Sequence, residues 1–477
     1  MEKNKVVSQI ADINTDFTQW YTDVVLKTNL ADYGPAKGTM VIREYGYELW
    51  ENFKNELDRR IKKEGHKNVY FPIFIPLSFF TREAEHVEGF APELATVTQV
   101  GKEILAEPLV VRPTSETVIC DAFARWVSSF RDLPVLINQW ANVVRMEKTT
   151  RPFLRTTEFL WQEGHTLHAT REEAEAHTIK MLNMYVDFAK DFLAIPFYYG
   201  KKSEKEKFAG AVYTYTVEGV MNDGKSLQCG TSHYLGENFA KVFNINFQDK
   251  DEIVKHPHQT SWGMSTRMIG AIIMVHGDER GLRLPPKVAP IQVVIVPIAS
   301  HKGGVIEKCD EIKNILETKG IKVFVDKSDN QTGWKFNEWE LKGVPIRLEI
   351  GPKDIEAGNA VLFRRDLNTK SPVSLNNIET TVAETLESIH CNLYQQAKQK
   401  MADKTKSVKN MEELNQAIET GNFAFAPWCG SRECEDKIKE ISGASSRCTP
   451  DSQTDSIKKC VYCGKECKHE TYFAKNY

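Results

Sequence analysis

Between Arg112 and Arg267 the chain concentrates side chains suited to holding a small charged molecule. The run VRPTSE places Arg112, Thr114, Ser115 and Glu116 where an apolar strand gives way to a helix, and the free N–H groups of a helix start add donors there. A carboxylate flanked by hydroxyls suits the ammonium end of a zwitterion, although Thr or Ser ahead of Glu also spells a capping box. In VRME, Arg145 and Glu147 stand two residues apart and share a face if the segment is a strand. An arginine fixed on a sheet clamps carboxylate or phosphate through its fork; the alternative is an ordinary cross-strand ion pair. Arg155 and Thr156 follow a basic loop and could add charge for a polyphosphate, or could be solvated loop residues. In SWGMSTRMIGA, small residues lead to Arg267 at the start of an apolar helix, so backbone and ligand can approach closely beside a cation. No Walker loop accompanies these groups, and any nucleotide is held by another design.

A second constellation lies at the other end of the chain. Of ten cysteines, Cys120, Cys229, Cys309 and Cys391 are scattered, while six fall between Cys429 and Cys467. Cys429 and Cys434, with Cys460 and Cys463, can supply four thiolates to one tetrahedral zinc ion; Cys448, Cys467 and His469 are spare candidates. In a reducing compartment such a crowd argues for a metal over disulfides.

The elements that must position these groups fall into three regions. From Arg43 to Glu64, Leu49, Trp50, Phe53, Leu57 and Ile61 share one helical face, and Gly65 ends it. NVYFPIFIPL reads as a buried strand interrupted by Pro72 and Pro76. The segments QWANVVRME and EFLWQEGHTLHA read as strands around a basic loop, a helix spans about Arg171 to Leu193, and AVYTYTVEGVM with KSLQCGTSHYLG flank a hairpin turn at Asn222, Asp223 and Gly224. These predict a mainly antiparallel sheet with helices on one side. The three prolines of LRLPPKVAP mark a boundary, after which strand and helix signals alternate as a compact α/β domain with a largely parallel sheet. Arg347, Arg364 and Arg365 on its strands could serve phosphates or bases, or form a solvated face. A polar stretch near Lys400 marks the second boundary.

With 41% hydrophobic and 27% charged residues over 477 positions, whole-chain disorder is excluded and about three domains are expected. The formal charge of −3 leaves no overall basic footprint, so contact with nucleic acid needs local patches. No apolar run reaches the roughly 18 residues of a membrane span, and the charged opening MEKNKVVSQIADIN lacks the apolar core of a leader. Both readings favour a cytoplasmic protein without membrane contact.

In order, the NVYFPIFIP segment, RPTSE, VRME, FLRTTEFLWQEGH, LQCGTSHYLGENF and SWGMSTRMIGA closely resemble the prolyl-tRNA synthetases. The resemblance covers essentially the whole chain and is to the archaeal and eukaryotic form of these class II aminoacyl-tRNA synthetases, which ends in a zinc-binding domain. It implies an α+β catalytic domain over 1–285, with an antiparallel sheet flanked by helices. An α/β anticodon-binding domain over 286–400 and a small zinc-binding α+β domain over 401–477 follow. It also implies roles. Thr114, Glu116 and His233 would bind proline, with Glu116 facing the secondary ammonium. Arg145 would meet the proline carboxylate and the α-phosphate of ATP; Glu147, Arg155, Thr156, Gln228, Thr231, Ser265 and Arg267 would contact ATP. Trp161, Glu163 and His165 would wall the pocket, Cys229 would be only its neighbour, and Tyr477 would tuck its terminal carboxylate towards the site. Zinc would sit on Cys429, Cys434, Cys460 and Cys463.

The implied reaction has two steps: ATP, with Mg²⁺, adenylates L-proline, and prolyl passes to the 3′ end of tRNA(Pro). Arg145 and Arg267 act as catalytic stabilisers of phosphate charge. A homodimer through the first motif is also implied. Only about a hundred residues separate Glu158 from Trp262, which leaves no space for an inserted editing domain. Competing readings are a ligase that adenylates a small acid without charging tRNA, and an RNA-binding or regulatory protein built on a synthetase fold.

Overall fold

The computed structural model describes residues 10–86, 93–453 and 456–477; residues 1–9, which open the MEKNKVVSQIADIN segment, lie outside them. The first region is built on a seven-stranded sheet. In chain order its strands are β1 (Lys67–Asn68), β2 (Val135–Val144), β3 (Glu158–His168), β4 (Tyr198–Lys201), β5 (Tyr213–Val220), β6 (Ser226–Gly236) and β7 (His258–Ser265). Across the sheet they run β1-β2-β3-β7-β6-β5-β4, with only β1 and β2 parallel.

Apolar periodicity explains how helices cover this sheet. Helix α1 (Glu44–Lys63) buries Leu49, Trp50, Phe53, Leu57 and Ile61, and Gly65 follows at φ 90°, a conformation that favours glycine. Helix α2 (Glu116–Trp126) opens at the TSE segment. Helix α3 (Arg171–Leu193) starts where the Thr170 hydroxyl accepts the Glu173 N–H at 3.3 Å, and it buries Met181, Leu182, Tyr185, Phe188 and Ala189. Phe53 meets Phe188 edge-on at 4.9 Å, which joins α1 to α3 in the main core. Helix α4 (Arg267–His276) is buried at every position from Met268 on.

The NVYFPIFIPL segment is interrupted, as its prolines predict, but its pieces do not stay in one sheet. The paired pieces are Lys67–Asn68 and Phe74–Pro76; Pro72, which lacks a ladder donor, lies between them, and Pro76 ends the second. Phe74–Pro76 joins a separate three-stranded sheet with Glu103–Val111 and Thr96–Val100.

The middle region carries β8 (Val293–Pro297), β9 (Val323–Val325), β10 (Ile346–Ile350), β11 (Asn359–Arg364) and β12 (Thr369–Ser374), ordered β9-β8-β10-β11-β12. Helices α5 (Val305–Glu317), α6 (Thr332–Leu341) and α7 (Ile378–Asp403) accompany them. The sheet is mixed where a largely parallel one was expected: β8 is parallel to β9 and β10, while β11 runs antiparallel to β10 and returns through a tight hairpin as β12. The expected boundary at residue 400 falls inside the last turn of α7.

The tail forms a four-stranded sheet of β13 (Thr405–Ser407), β14 (Phe423–Trp428), β15 (Ser445–Cys448) and β16 (His469–Ala474), ordered β13-β14-β16-β15, with α8 (Met411–Glu419) and α9 (Arg432–Ser442). It docks on the edge of the first sheet: Lys201 and Thr449 exchange both backbone hydrogen bonds, at 2.9 and 2.8 Å. Beyond β16, Ser226 donates to the Lys475 carbonyl at 2.8 Å and Tyr477 donates to the Ser226 carbonyl at 3.1 Å.

Candidate active site

A cavity of about 540 Å³ opens over β3, β5, β6 and β7. Its floor begins at the start of α2. There the Thr114 hydroxyl donates to the Glu116 carboxylate, and the Ser115 hydroxyl donates to Glu163 at 2.5 Å. Ser115 holds the N-cap position without capping through its side chain, so the hydroxyls of TSE serve the cavity side and not a capping box. Glu116, Thr114 and Glu163 are all buried. Arg112, from the same run, turns away: it is fully buried and donates to the carbonyls of Phe71 at 2.8 Å and Asn142 at 3.0 Å, bracing one segment against another.

Arg145 lies just beyond β2, not on it, so it and Glu147 are not strand neighbours on one face. The Arg145 Nε donates to the Pro113 carbonyl at 2.9 Å, and its guanidinium lies over Phe159 and Trp161, 5.5 and 5.3 Å from the ring centres. The fork is thereby aimed into the cavity with one edge spent and the other available. Across the floor, Gln139 donates to Glu163 at 2.7 Å, and His165 pairs with the same carboxylate at 3.1 Å. Burial works against a charged His165, but its Glu163 partner and the nearby Glu116 hold its pKa above the usual histidine value. Burial likewise opposes ionised Glu163, and His165, Ser115 and Gln139 outweigh it and keep that carboxyl below its ordinary range.

On the opposite wall, His233 stands between two threonines: Nδ1 meets the Thr214 hydroxyl and Nε2 the Thr231 hydroxyl, both at 2.9 Å. Its ring lies 4.7 Å from that of Phe208. Burial, then the charges of Lys202 and His165, push its pKa down to about 3, so this imidazole is neutral near pH 7. Gln228, Ser265 and Arg267 complete the far end. The Arg267 Nε donates to the Leu154 carbonyl at 3.1 Å, Nη1 donates to the Gln228 carbonyl at 3.2 Å, and the Ser265 hydroxyl accepts the Arg267 backbone N–H at 3.2 Å.

Of the expected site residues, Thr114, Glu116, Arg145, Gln228, Thr231, His233, Ser265 and Arg267 line this one cavity. Glu147, Arg155 and Thr156 stand outside its lining: Arg155 Nε lies 3.8 Å from Glu147, and the Thr156 hydroxyl donates to the Glu158 carbonyl at 2.7 Å. The main-chain oxygen of Tyr477 accepts from Arg155 Nη2 at 3.4 Å, so the chain terminus reaches this edge. Sequence reading passed over Phe159, Lys202, Phe208 and Ser261, which also line the cavity. Lys202 and Phe208 sit in a loop whose run of lysines and glutamates resembles any solvated turn. The Ser261 hydroxyl and the Trp161 Nε1–H are buried and have no protein partner among the described residues, which suits polar contact with a ligand.

The sulfurs of Cys429, Cys434, Cys460 and Cys463 form a second site, all within 4.8 Å of one another. Cys429 follows β14, Cys434 lies on α9, and the other two flank a tight turn in which Cys460 N–H donates to Lys465 and Gly464 N–H to Cys460. The Cys429 sulfur is 3.6 Å from Cys434 and 3.9 Å from Cys463. A tetrahedron with zinc–sulfur bonds of about 2.3 Å has edges of about 3.8 Å, so the donor set fits that ion. Cys448, Cys467 and His469 are not among the clustered ligands.

A largely antiparallel sheet whose cavity holds Arg145, Arg267, Glu116, Glu163 and a neutral His233, followed by an α/β domain, is the architecture of a class II aminoacyl-tRNA synthetase. Residues 96–276 match the tRNA synthetase class II core domain (G, H, P, S and T), residues 292–385 the anticodon binding domain, and residues 411–477 the prolyl-tRNA synthetase C-terminal domain. The chain is 56% identical to a proline--tRNA ligase of Alkaliphilus oremlandii, over 100% of this chain and 99% of that one. It is 54% identical to one of Clostridium novyi over the full length of both. A crystal structure of prolyl-tRNA synthetase from Cryptosporidium parvum, complexed with halofuginone and AMPPNP, superposes with a TM-score of 0.95 at 40% identity, covering 99% of this chain and 100% of that one. The chain belongs to the prolyl-tRNA synthetases.

Proposed function

We propose that this protein is a proline--tRNA ligase that activates L-proline with ATP and transfers prolyl to the 3′ end of tRNA(Pro). The observation that carries this reading is the pairing, in one cavity, of the buried Glu116–Thr114 unit with the partly spent fork of Arg145. Glu116 supplies the counter-charge for a secondary ammonium, and Thr114 holds its carboxylate in place. Arg145 faces the substrate carboxylate and the α-phosphate. Trp161, Phe208 and the neutral His233 offer an apolar wall for the ring, and Glu163 with His165 fixes the floor beneath it.

Proline carboxylate is already nucleophilic, so it attacks the α-phosphorus without a side-chain base; a C–O–P bond forms and pyrophosphate leaves. The work of the protein is positioning and charge compensation. Arg267, seated by Ser265 and the Gln228 carbonyl, grips the distal phosphates; Gln228 and Thr231 contact the nucleotide, and Glu147, Arg155 and Thr156 border it from outside the cavity. Mg²⁺, when bound, neutralises phosphate charge alongside the two arginines. The structure crystallised with AMPPNP supports an ATP site in this family.

The same reading extends to the rest of the molecule, as catalytic, anticodon-binding and zinc-binding domains over 1–285, 286–400 and 401–477. Cys429, Cys434, Cys460 and Cys463 hold structural zinc. Tyr70, Phe74 and Trp126 expose large apolar surfaces near the first motif, which supports a homodimer there. Among the described residues no helix is long and apolar enough to cross a membrane, and we place the enzyme in the cytoplasm, where tRNA is charged. Between β3 and β7 the chain forms α3 and the β4–β6 strands, so no editing of alanyl-tRNA by this chain is expected.

Proline-dependent exchange of pyrophosphate into ATP, compared across all twenty amino acids, tests the function. Proline is expected to drive exchange far above the others. Glu116→Ala and His233→Ala are each expected to lose it by about a hundredfold or more; near-normal exchange in both would overturn the pocket assignment.

A further inference from the structure

Three of the directly opposed pairs in the β5–β6 hairpin are Thr214 with His233, Thr216 with Thr231, and Glu218 with Gln228. The third pair exists because the register shifts beside Val217, which leaves Cys229 without a partner; in unbroken register Glu218 would oppose Cys229. The bulge lets Gln228 join Thr231 and His233 in lining the cavity, and it places the Gln228 carbonyl 3.2 Å from Arg267 Nη1. A bulge is also where a ladder deforms most easily.

Glu218 spans that weak point. Its fully buried carboxylate accepts from the Thr216 hydroxyl at 2.8 Å on its own strand and from the Ser226 hydroxyl at 2.7 Å on the far side of the bulge. The carboxylate is in turn oriented from another domain. Arg447, on β15, donates to it through Nε at 3.2 Å and through Nη2 at 3.1 and 3.3 Å, while Nη1 donates to Ser445 at 2.9 Å. Both side chains of the pair are almost inaccessible, at 3% and 0%. The adenylation chemistry proposed above has no use for Arg447.

We infer that Arg447 is a positioning residue for ATP: by fixing the plane of Glu218 from the C-terminal domain, it holds the bulge that aims Gln228 and seats Arg267. The inference rests on the reading of Gln228 and Arg267 as nucleotide contacts. Docking of the tail does not depend on this pair. The Lys201–Thr449 ladder, the Tyr215 hydroxyl on Asp451 at 2.8 Å and the Ser203 hydroxyl on Glu435 at 2.8 Å hold the two domains together elsewhere.

Arg447→Met removes the fork and keeps much of the volume. Lys202 Nζ, 3.8 Å from Glu218, still supplies a counter-charge, so the full-length variant is expected to fold. Pyrophosphate exchange, measured over a range of ATP and of proline, is expected to show KM for ATP raised about tenfold with KM for proline within about twofold. Arg447→Lys is expected to recover part of the loss. Glu218→Gln, which keeps size and acceptor but not charge, is expected to repeat the ATP effect. Both KM values unchanged in Arg447→Met, or activity falling only as the folded fraction falls, would overturn the inference. If Arg447→Met does not fold, the Glu218→Gln profile decides by the same criterion. Absence of proline-dependent exchange in the unaltered protein would instead remove the functional reading.

Discussion

Among the buried histidines of the described residues, His168, His177, His233 and His276 are held neutral most strongly. Burial is the leading cause in each case, and it lowers their pKa values to about 4, 2, 3 and 3. His177 also feels its neighbours: His66 Nε2 is 3.1 Å from His177 Nε2, and the rings of His168 and His177 lie 5.1 Å apart. Because the unfolded chain takes up protons near pH 6.5 and the folded chain does not, stability present above that pH is lost as pH falls towards these values. Each histidine contributes up to about 1.4 kcal/mol per pH unit within its window. The melting temperature is therefore expected to drop steeply from pH 6.5 to pH 4, and His177→Gln should flatten that drop. A profile in which the variant is as steep as the unaltered protein would mean His177 is not held neutral.

Strands β3 and β7 pair side by side with almost no space between one glycine and the facing indole. Gly164 faces Trp262 in register, and a Cβ on Gly164 would fall on the indole. Gly164→Ala must push Trp262 against Tyr185 and His66, whose rings lie 6.3 and 5.1 Å from it. Overpacking of this kind costs about 1 to 3 kcal/mol, read as a lower denaturation midpoint; an unchanged midpoint would show that the sheet gives way freely. The pattern of elements was largely legible because α1, α3 and the β5–β6 hairpin follow apolar periodicity and turn chemistry, which are local signals. What failed was non-local. The apolar letters of NVYFPIFIPL hide that its prolines divide it between two sheets, and nothing within Arg145–Glu147 tells that the strand stops at Val144. The cavity residues Thr114, Glu116 and His233 came from family resemblance, since each alone has a structural reading. Lys202 and Phe208 carry no local signal, because only the fold brings their loop over His233. Arg347, Arg364 and Arg365, open to an RNA reading from sequence, are engaged with Glu349, Asp366 and Asp278. Those ion pairs depend on tertiary contacts that strand pattern does not encode.

At the scale of the whole molecule, the cysteine cluster and the cavity over the catalytic sheet are joined by one short run of chain. Strand β16 pairs with both β14 and β15 and leads directly to Lys475 and Tyr477, which pair with Ser226 at the start of β6. The Tyr477 hydroxyl donates to Asp223 at 2.6 Å in the turn that joins β5 to β6. The tail has a small apolar core in which Cys434 and Cys460 themselves take part, so zinc at the proposed site, worth on the order of 10 kcal/mol, would be a large share of what orders it. Stripping the metal with a chelator is therefore expected to act on two levels. Calorimetry should resolve an early transition for the tail, separate from that of the catalytic sheet, since a multidomain chain need not melt as one unit. Proline activation should fall several-fold at a temperature between the two transitions, because β6 loses its partners at Ser226 and Glu218 loses Arg447, and zinc added back should restore both. Cys460→Ser should reproduce the metal-free behaviour without a chelator. If the stripped protein melted in one transition at the original temperature and activated proline normally, the tail would hold its fold, and with it Arg447 and the Ser226 pairing, without the metal.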